Sequence, residues 1–177
     1  MKWLLLSICV GLFAVAQVLA DDSVPKIKKM DPAKQESIRT SLQMDISKGA
    51  DALRPWFGQV SICAPRLWSR IASSIDRKGV EIIPTHFPSG DGAAFKGGDA
   101  NRRFADQMAP LLNSGKVRIP KEDEVNAYWR ICPFDEIEEP FFVVAAPNAD
   151  VLVHLQWDAD KGHYLFFFLE AFRIDNK

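Results

Sequence analysis

The sequence predicts an α+β fold in which N-terminal helices pack on a C-terminal antiparallel β-sheet, all within one domain. Apolar residues recur at helical spacing in the first two thirds of the chain. Residues 140–174 are instead rich in β-branched and aromatic side chains, which favour strands. The breaks between the last three apolar runs have hairpin lengths, and this favours antiparallel pairing.

The first twenty residues have the pattern of a secretory signal peptide. Lys2 precedes an apolar run, and Val18 and Ala20 occupy positions −3 and −1 of a cleavage site before Asp21. We therefore expect residues 1–20 to be removed and the protein to be secreted or periplasmic. A retained membrane anchor is the alternative, although the run is at the short end of the ~20 residues that span a bilayer.

Composition restricts the class of partner. Cleavage leaves 157 of 177 residues, enough for a flexible leader over 21–30 and a single domain over 31–177. This mature chain has 21 basic and 23 acidic residues. Because nucleic acids and anionic membranes attract basic surfaces, we expect no nucleic-acid partner and no stable membrane insertion after cleavage.

Three helices are predicted in the first two thirds of the chain. The first begins at Asp31-Pro32, where aspartate can cap and proline suits the first helical position, and it runs to about residue 48. Pro65 opens the second helix, which ends before Gly79. Asp99 caps the third, and Pro110 ends or kinks it.

The strand predictions concentrate at the end of the chain. In the run 151–157, Val151, Val153, Leu155 and Trp157 alternate with other residues, so this face is expected to lie in the core. Residues 122–129 fit either a helix or a strand. The remaining predicted strands cover residues 80–83, 117–119, 140–146 and 163–174.

The glycine-rich segment 84–98 is predicted to be a long loop and is the best candidate for a binding site. It leads into the third helix, where backbone N–H groups and nearby cations can hold an anion. Its spacing matches neither the P-loop nor the dinucleotide fingerprint, and a mobile surface connection is the alternative. The candidate binding residues are Gly90, Gly92, Lys96, Arg102 and Arg103.

The same segment contains His86 and Asp91, which are the candidate catalytic pair of an alternative function. A histidine and a carboxylate in a shared pocket can perform acid–base chemistry. His154 lies in the middle of the predicted strand 151–157, and His163 begins the next strand, but no histidine stands at a metal-ligand spacing. The sequence therefore predicts no metal and no cofactor.

Two cysteines, Cys63 and Cys132, remain after cleavage. In an exported protein such a pair most often forms a disulfide, so we predict a Cys63–Cys132 bond. On the chain-entropy model this bond stabilises the fold by roughly 4 kcal/mol. Two buried free thiols are the alternative, and a nucleophilic cysteine is disfavoured in an oxidising compartment.

An acidic run, a segment that resembles a calcium loop and the tryptophans each allow a structural or a functional interpretation. The acidic run 135–139 can attract a basic partner, or it can be a solvated loop. The segment 158–162 resembles the start of a calcium loop but lacks its later ligands, so a polar hairpin turn is expected. Four tryptophans remain in the mature chain, and they are expected in the core or around an apolar pocket.

The leading functional hypothesis is an exported, non-enzymatic binding or protein-interaction module. It rests on strong core patterns, an export signal and the absence of a recognisable catalytic motif. Its expected partner is another exported protein, approached through residues 84–98 and the acidic run. Two alternatives remain: a small secreted hydrolase that uses His86 and Asp91, and a carrier of a small apolar ligand, which needs an enclosed cavity.

Overall fold

A computed structural model describes residues 26–75, 81–87, 90–129 and 135–175, except the side chains of residues 59 and 98–101. It confirms the α+β class. Helices and strands interleave along the chain, however, so the predicted division into N-terminal helices and a C-terminal sheet is wrong in part. Within the described residues, no helix has the length and apolar character needed to cross a membrane.

Fifteen elements follow one another in the described chain, including one short 3₁₀ helix. The α-helices are α1 (Pro32–Lys48), α2 (Ala50–Leu53), α3 (Pro65–Ile71), α4 (Gly98–Leu112) and α5 (Glu122–Trp129), and the 3₁₀ helix is Arg54–Trp56. The strands are β1 (Lys26–Lys28), β2 (Phe57–Cys63), β3 (Ile82–Phe87), β4 (Gly90–Lys96), β5 (Lys116–Arg118), β6 (Glu136–Glu138), β7 (Phe141–Ala146), β8 (Ala149–Asp158) and β9 (His163–Ile174).

Seven strands form one sheet in the order β3-β4-β2-β9-β8-β7-β5. The β2–β9 pair is parallel, and the other neighbours are antiparallel. The predicted β7–β8–β9 meander is present. Strands β2, β3 and β4 come from the first hundred residues, and β2 lies between β4 and β9. The early part of the chain therefore builds almost half of the sheet.

One face of the sheet is covered by the first four helices. Apolar side chains from α1, α2 and α4 meet those of the sheet in a continuous core. The Phe57 ring lies edge-on to Phe104 of α4 and Phe166 of β9, with centroid distances of 5.6 and 4.9 Å. Edge-to-face contacts of this kind add to the free energy gained by burying the rings.

The other face is covered by α5 and a two-stranded ribbon, in which β1 pairs with β6 in parallel. Ile27 and Ile137 of the ribbon pack toward the rings of Tyr128 and Phe141. Lys26–Lys28, at the end of the predicted leader, form β1, because the apolar Ile27 has a buried surface to pack on. Residues 1–25, with the predicted signal peptide, lie outside the described chain.

The helix ends agree with the predictions in part. Asp31 caps α1 by accepting a hydrogen bond from the Lys34 N–H at 3.0 Å, and α1 ends at Lys48 as expected. Gly97 rather than Asp99 occupies the N-cap of α4, and Pro110 lies inside its last turns. Residues 122–129 form a helix. α3 ends at residue 71, ahead of its predicted end, and residues 76–80 lie outside the described chain.

The predicted loop over residues 84–98 is wrong: most of this segment forms the hairpin strands β3 and β4. At Gly92, the glycine allows close packing between strands. A Cβ atom on Gly92 would overlap the ring of Phe87 and the carbonyl of Cys63, so only glycine fits there. Pro84 is tolerated because β3 is an edge strand of the sheet.

Candidate functional site

His86 and Asp91, the candidate catalytic pair, are cross-strand neighbours on the β3–β4 hairpin. Nδ1 of His86 lies 3.2 Å from Oδ1 of Asp91. The two side chains are 88% and 81% exposed, and neither lines any of the clefts described below. The structure thus brings the pair together, but on an open surface where both groups are hydrated and none of the described clefts positions a substrate between them.

The candidate anion-binding residues follow one another along β4 and the start of α4. The backbone of β4 pairs with β3 from Gly90 to Phe95, so it is part of the sheet and does not fold into a cradle. Lys96 and Arg102 are exposed, and Arg103 is half-buried. Close packing explains Gly92, and a φ of +130° favours glycine at position 90. Anion binding therefore stays a prediction without a preformed backbone site.

Cys63 is fully buried, and its predicted partner Cys132 lies outside the described residues. The disulfide therefore stays a prediction. Burial raises the pKa of the Cys63 thiol well above its usual value. Because the thiolate is the reactive form, Cys63 is not equipped to act as a nucleophile in this environment.

Three half-open clefts meet at the tip of the β8–β9 hairpin, and Trp157 lines all of them. Their volumes are about 450, 420 and 490 Å³. Trp157 is 52% exposed, whereas Trp56 and Trp129 are buried. A half-exposed tryptophan that borders several clefts is a large apolar surface available for contact.

The Trp157 side chain is held by its neighbours. It lies opposite Tyr164 in the β8–β9 pairing, and the two rings make an edge contact at a centroid distance of 5.1 Å. Lys34 of α1 places its Nζ 5.6 Å from the centroid of the Tyr164 ring, a cation–π contact. These contacts order the aromatic pair before anything binds to it.

The first of the three clefts lies between β6 and the end of β8, and we call it the β6–β8 cleft. The residues of β6, two of them glutamates, form one wall, and the end of β8 forms the other. Phe167 and Tyr164 add apolar surface. Its lining comprises Lys34, Glu136, Ile137, Glu138, Glu139, His154, Leu155, Gln156, Trp157, Tyr164 and Phe167.

His154 forms the buried end of this cleft. Its Nε2 lies 2.9 Å from the Glu138 carbonyl and its Nδ1 lies 3.0 Å from the Tyr128 hydroxyl. Because a carbonyl only accepts, Nε2–H donates to it and Nδ1 accepts from Tyr128. Burial lowers the pKa of His154 to about 4, so the ring is neutral at physiological pH and holds β6 and α5 on the sheet.

The acidic run on β6 faces lysines of the chain itself. In the parallel pairing, Lys26 stands opposite Glu136 and Lys28 opposite Glu138. Lys28 Nζ lies 3.1 Å from Glu138 Oε1, and Lys29 and Glu139 form a second ion pair. Glu136 forms no ion pair within the described residues, and it is one of the residues that line the β6–β8 cleft.

Two buried polar atoms on the same face of the sheet have no hydrogen-bond partner within the described part of the chain: Trp129 Nε1 and Glu170 Oε2. Glu170 is 8% exposed, and burial raises its pKa to about 7 despite the opposing charge of Arg66. The sequence analysis missed Glu170 because it stands in a run of apolar strand residues. It borders none of the clefts described here.

The segment 158–162 is a polar hairpin turn, as predicted. The Asp158 carboxylate accepts hydrogen bonds from the backbone N–H groups of Asp160 and Lys161, at 3.0 and 3.1 Å. Across the described ranges, no group of three or more histidine, cysteine or acidic side chains is arranged to hold a metal ion. Comparisons with known protein families, curated proteins and solved structures found no match.

Proposed function

We propose that this protein is an exported, non-enzymatic protein-interaction module whose binding surface is centred on Trp157. The observation that supports this proposal is a half-exposed tryptophan, fixed against Tyr164, that lines three neighbouring clefts. Tryptophan and tyrosine are the residues most enriched among those that dominate binding energy at protein interfaces. The binding surface thus differs from the one expected at residues 84–98.

The shape and chemistry of the clefts fit a protein partner better than a small apolar ligand. Pockets for small apolar molecules are enclosed and mostly apolar. The clefts at Trp157 are half-open, and the β6–β8 cleft is lined by glutamates as well as aromatic residues. An open, mixed surface of this kind suits side chains that project from a partner protein.

The hydrolase alternative receives no comparable support. His86 and Asp91 converge, but both side chains project into solvent. Among the histidine and acidic side chains, the two with large pKa shifts, His154 and Glu170, are buried in the fold, and of these two only His154 borders one of the described clefts. A binding role at Trp157 needs none of these residues to act as an acid or a base.

The test compares two single variants in affinity capture from the extracellular or periplasmic fraction of the source organism. Trp157→Ser removes the proposed contact, and Met44→Ser is the matched control because Met44 is 54% exposed and lines none of the clefts. We expect a specific protein to be retained by the wild type and by Met44→Ser, and to be lost with Trp157→Ser. Identical retention by all three proteins would contradict the proposal.

A further inference from the structure

The β8–β9 hairpin extends beyond the strand that lies next to it. Pairing between β7 and β8 ends at Phe141 and His154, whereas β8 continues to Asp158. Beyond His154, the β7 side of β8 receives one more backbone contact, from the Leu155 N–H to the Pro140 carbonyl at 3.1 Å. Within the described ranges of the chain, the last residues of β8 therefore form a short sheet edge without a neighbouring strand.

The backbone of Trp157 faces this open edge. Backbone groups alternate in direction along a strand, and the Leu155 N–H points to the β7 side. The N–H and carbonyl of Trp157, two residues further on, point to the same side, where β7 supplies no pairing residue. The β6–β8 cleft, of about 450 Å³, lies along this edge and is lined by residues 154–157.

We propose that the β6–β8 cleft binds an extended, basic peptide segment of a partner protein, which pairs antiparallel with the backbone of Trp157 in line with β7. The inference rests on the proposed interaction function and specifies its mode. Addition of a strand to an open sheet edge is a common form of peptide recognition: the backbone gives affinity, and alternate side chains give specificity.

The two faces of the sheet determine the side-chain pattern of the peptide. Trp157 projects to the face covered by the first helices, so the peptide residue opposite it contacts the indole and should be apolar. The flanking peptide residues project to the other face, where β6 lies. There Glu136 and Glu138 line the cleft, and the long side chain of a lysine or arginine can reach their carboxylates, so these residues are favoured.

The chain itself shows that β6 accepts such a segment. On its other side, β6 pairs with β1, whose sequence Lys-Ile-Lys is complementary to Glu-Ile-Glu at each position. The carboxylate of Glu136 has no ion pair in the described chain and is exposed. Lys34, the cation that lines the cleft, is placed over the ring of Tyr164. The β6 wall of the cleft therefore offers negative charge to a second basic strand.

The experiment uses the mature protein and a labelled peptide, Gly-Lys-Val-Lys-Val-Lys-Gly, with binding followed by fluorescence anisotropy at low salt. Two variants of this peptide, called its twins, carry N-methyl groups on backbone nitrogens. One is methylated at the two valines and the other at the two outer lysines. Valine methylation removes the donors that face Trp157, so we expect roughly ten-fold weaker binding. Methylation of the outer lysines removes N–H groups on the edge of the peptide that faces away from Trp157. It should leave the affinity within about two-fold of that of the unmethylated peptide.

Charge is tested separately. A twin with glutamate in place of lysine should bind at least about ten-fold more weakly than the basic peptide, since its carboxylates face those of β6. Glu136→Gln should weaken binding of the basic peptide about two- to five-fold, the range measured for exposed ion pairs. Glu81→Gln is the matched control, because Glu81 is exposed and lies away from the cleft, and it should have no effect.

Each contrary result overturns this inference. Equal loss from the two N-methylated twins excludes strand pairing at Trp157, and equal affinity of the acidic twin excludes recognition by β6. Absence of binding by the basic peptide also overturns it, while loss of a captured protein with Trp157→Ser would still support the broader interaction function. Failure of the binding mode and failure of the function are thus separate results.

Discussion

At the scale of single residues, the buried contacts of His154 connect three elements. The Tyr128 hydroxyl and the Glu138 carbonyl occupy its two ring nitrogens, and the ring stacks on Phe141 at a centroid distance of 4.4 Å. Each polar group is satisfied only while β6, β8 and α5 remain together. A buried group that loses its partner costs about 1–3 kcal/mol, so the network specifies how the second face of the sheet is covered.

Tyr128→Phe tests this network. The variant keeps the ring but leaves Nδ1 of His154 buried without a donor, so we expect the free energy of unfolding to fall by about 1–2 kcal/mol. Urea unfolding at pH 7 measures the change. Tyr164→Phe is the control because Tyr164 is only half-buried and its hydroxyl has no hydrogen bond in the described residues. Equal losses in both variants would contradict a special role for the network.

Two buried titratable groups affect the pH dependence of stability in opposite ways. The pKa of His154 is lowered to about 4 in the folded protein. Its contribution to the free energy of unfolding is therefore fully present above about pH 6.5 and is lost as the pH falls toward 4. The pKa of Glu170 is raised to about 7 in the folded protein. Its contribution to the free energy of unfolding is therefore fully present below about pH 4.5 and is lost as the pH rises toward 7. Between pH 4.5 and 6.5 the two effects oppose each other.

Replacing Glu170 by glutamine should reveal how the titration of His154 changes stability with pH. We expect the wild-type free energy of unfolding to change little between pH 4.5 and 6.5. In Glu170→Gln it should rise with pH by up to about 1.4 kcal/mol per unit, because one opposing titration is removed. Urea unfolding at several pH values measures both slopes. Glu81→Gln removes an exposed carboxylate and should keep the wild-type profile, and a flat profile in Glu170→Gln would contradict the assignment.

At the scale of secondary-structure elements, one edge of the large sheet is protected by a helix. Gln43 of α1 donates to the Gly115 carbonyl at 3.0 Å and accepts from the Val117 N–H at 2.7 Å. Arg39 donates to the Val117 carbonyl at 3.1 Å. These side chains occupy the backbone groups of the edge strand β5 that face away from β7. Unpaired edge groups of this kind otherwise recruit other chains.

Gln43→Leu should open this edge. Loss of two side-chain to backbone hydrogen bonds is expected to lower stability by about 1–2 kcal/mol and to accelerate hydrogen exchange at Val117. Exchange followed by NMR measures the effect at that amide. Gln35→Leu on the same helix is the matched control, because the Gln35 side chain makes no hydrogen bond in the described chain. Unchanged exchange at Val117 in Gln43→Leu would show that the helix does not protect the strand.

The elements also show which sequence patterns were informative. Helix α1 and the hairpins of β7, β8 and β9 were predictable because their capping residues, apolar periodicity and turn lengths are local properties. The β3–β4 hairpin was predicted as a loop because glycine usually marks one. At Gly92 the glycine instead permits contact with Phe87 and Cys63, and this requirement arises only once the strands are adjacent.

At the scale of the whole molecule, the two faces of the sheet have different covers. Four helices cover one face, and α5 with the β1–β6 ribbon covers the other. The ribbon joins the chain near residue 26 to the segment 136–138 through complementary charges and two isoleucines. Neither segment would predict the pairing alone, because each is three residues long and forms only against its partner.

The covalent state of the whole chain is tested through its cysteines. We expect iodoacetamide not to label Cys63 in the native protein, because the side chain is buried and its pKa is raised. Labelling in concentrated urea without reductant then tests the predicted disulfide. Continued protection, with a linked peptide pair that contains Cys63 and Cys132, would confirm it. Labelling of Cys63 on unfolding would contradict it, and labelling of the native protein would contradict its burial.

The sequence by itself determined the α+β class, the position of α1, the C-terminal meander and the turn at 158–162, because these depend on local periodicity and capping. Only the tertiary structure decided what surrounds Trp157. Its alternation with Val151, Val153 and Leu155 predicted a core position, and those three residues are indeed buried. Trp157 is half-exposed because β8 extends past β7. Whether an apolar side chain is covered depends on how far its neighbours reach in space, and spacing along the chain does not contain that information.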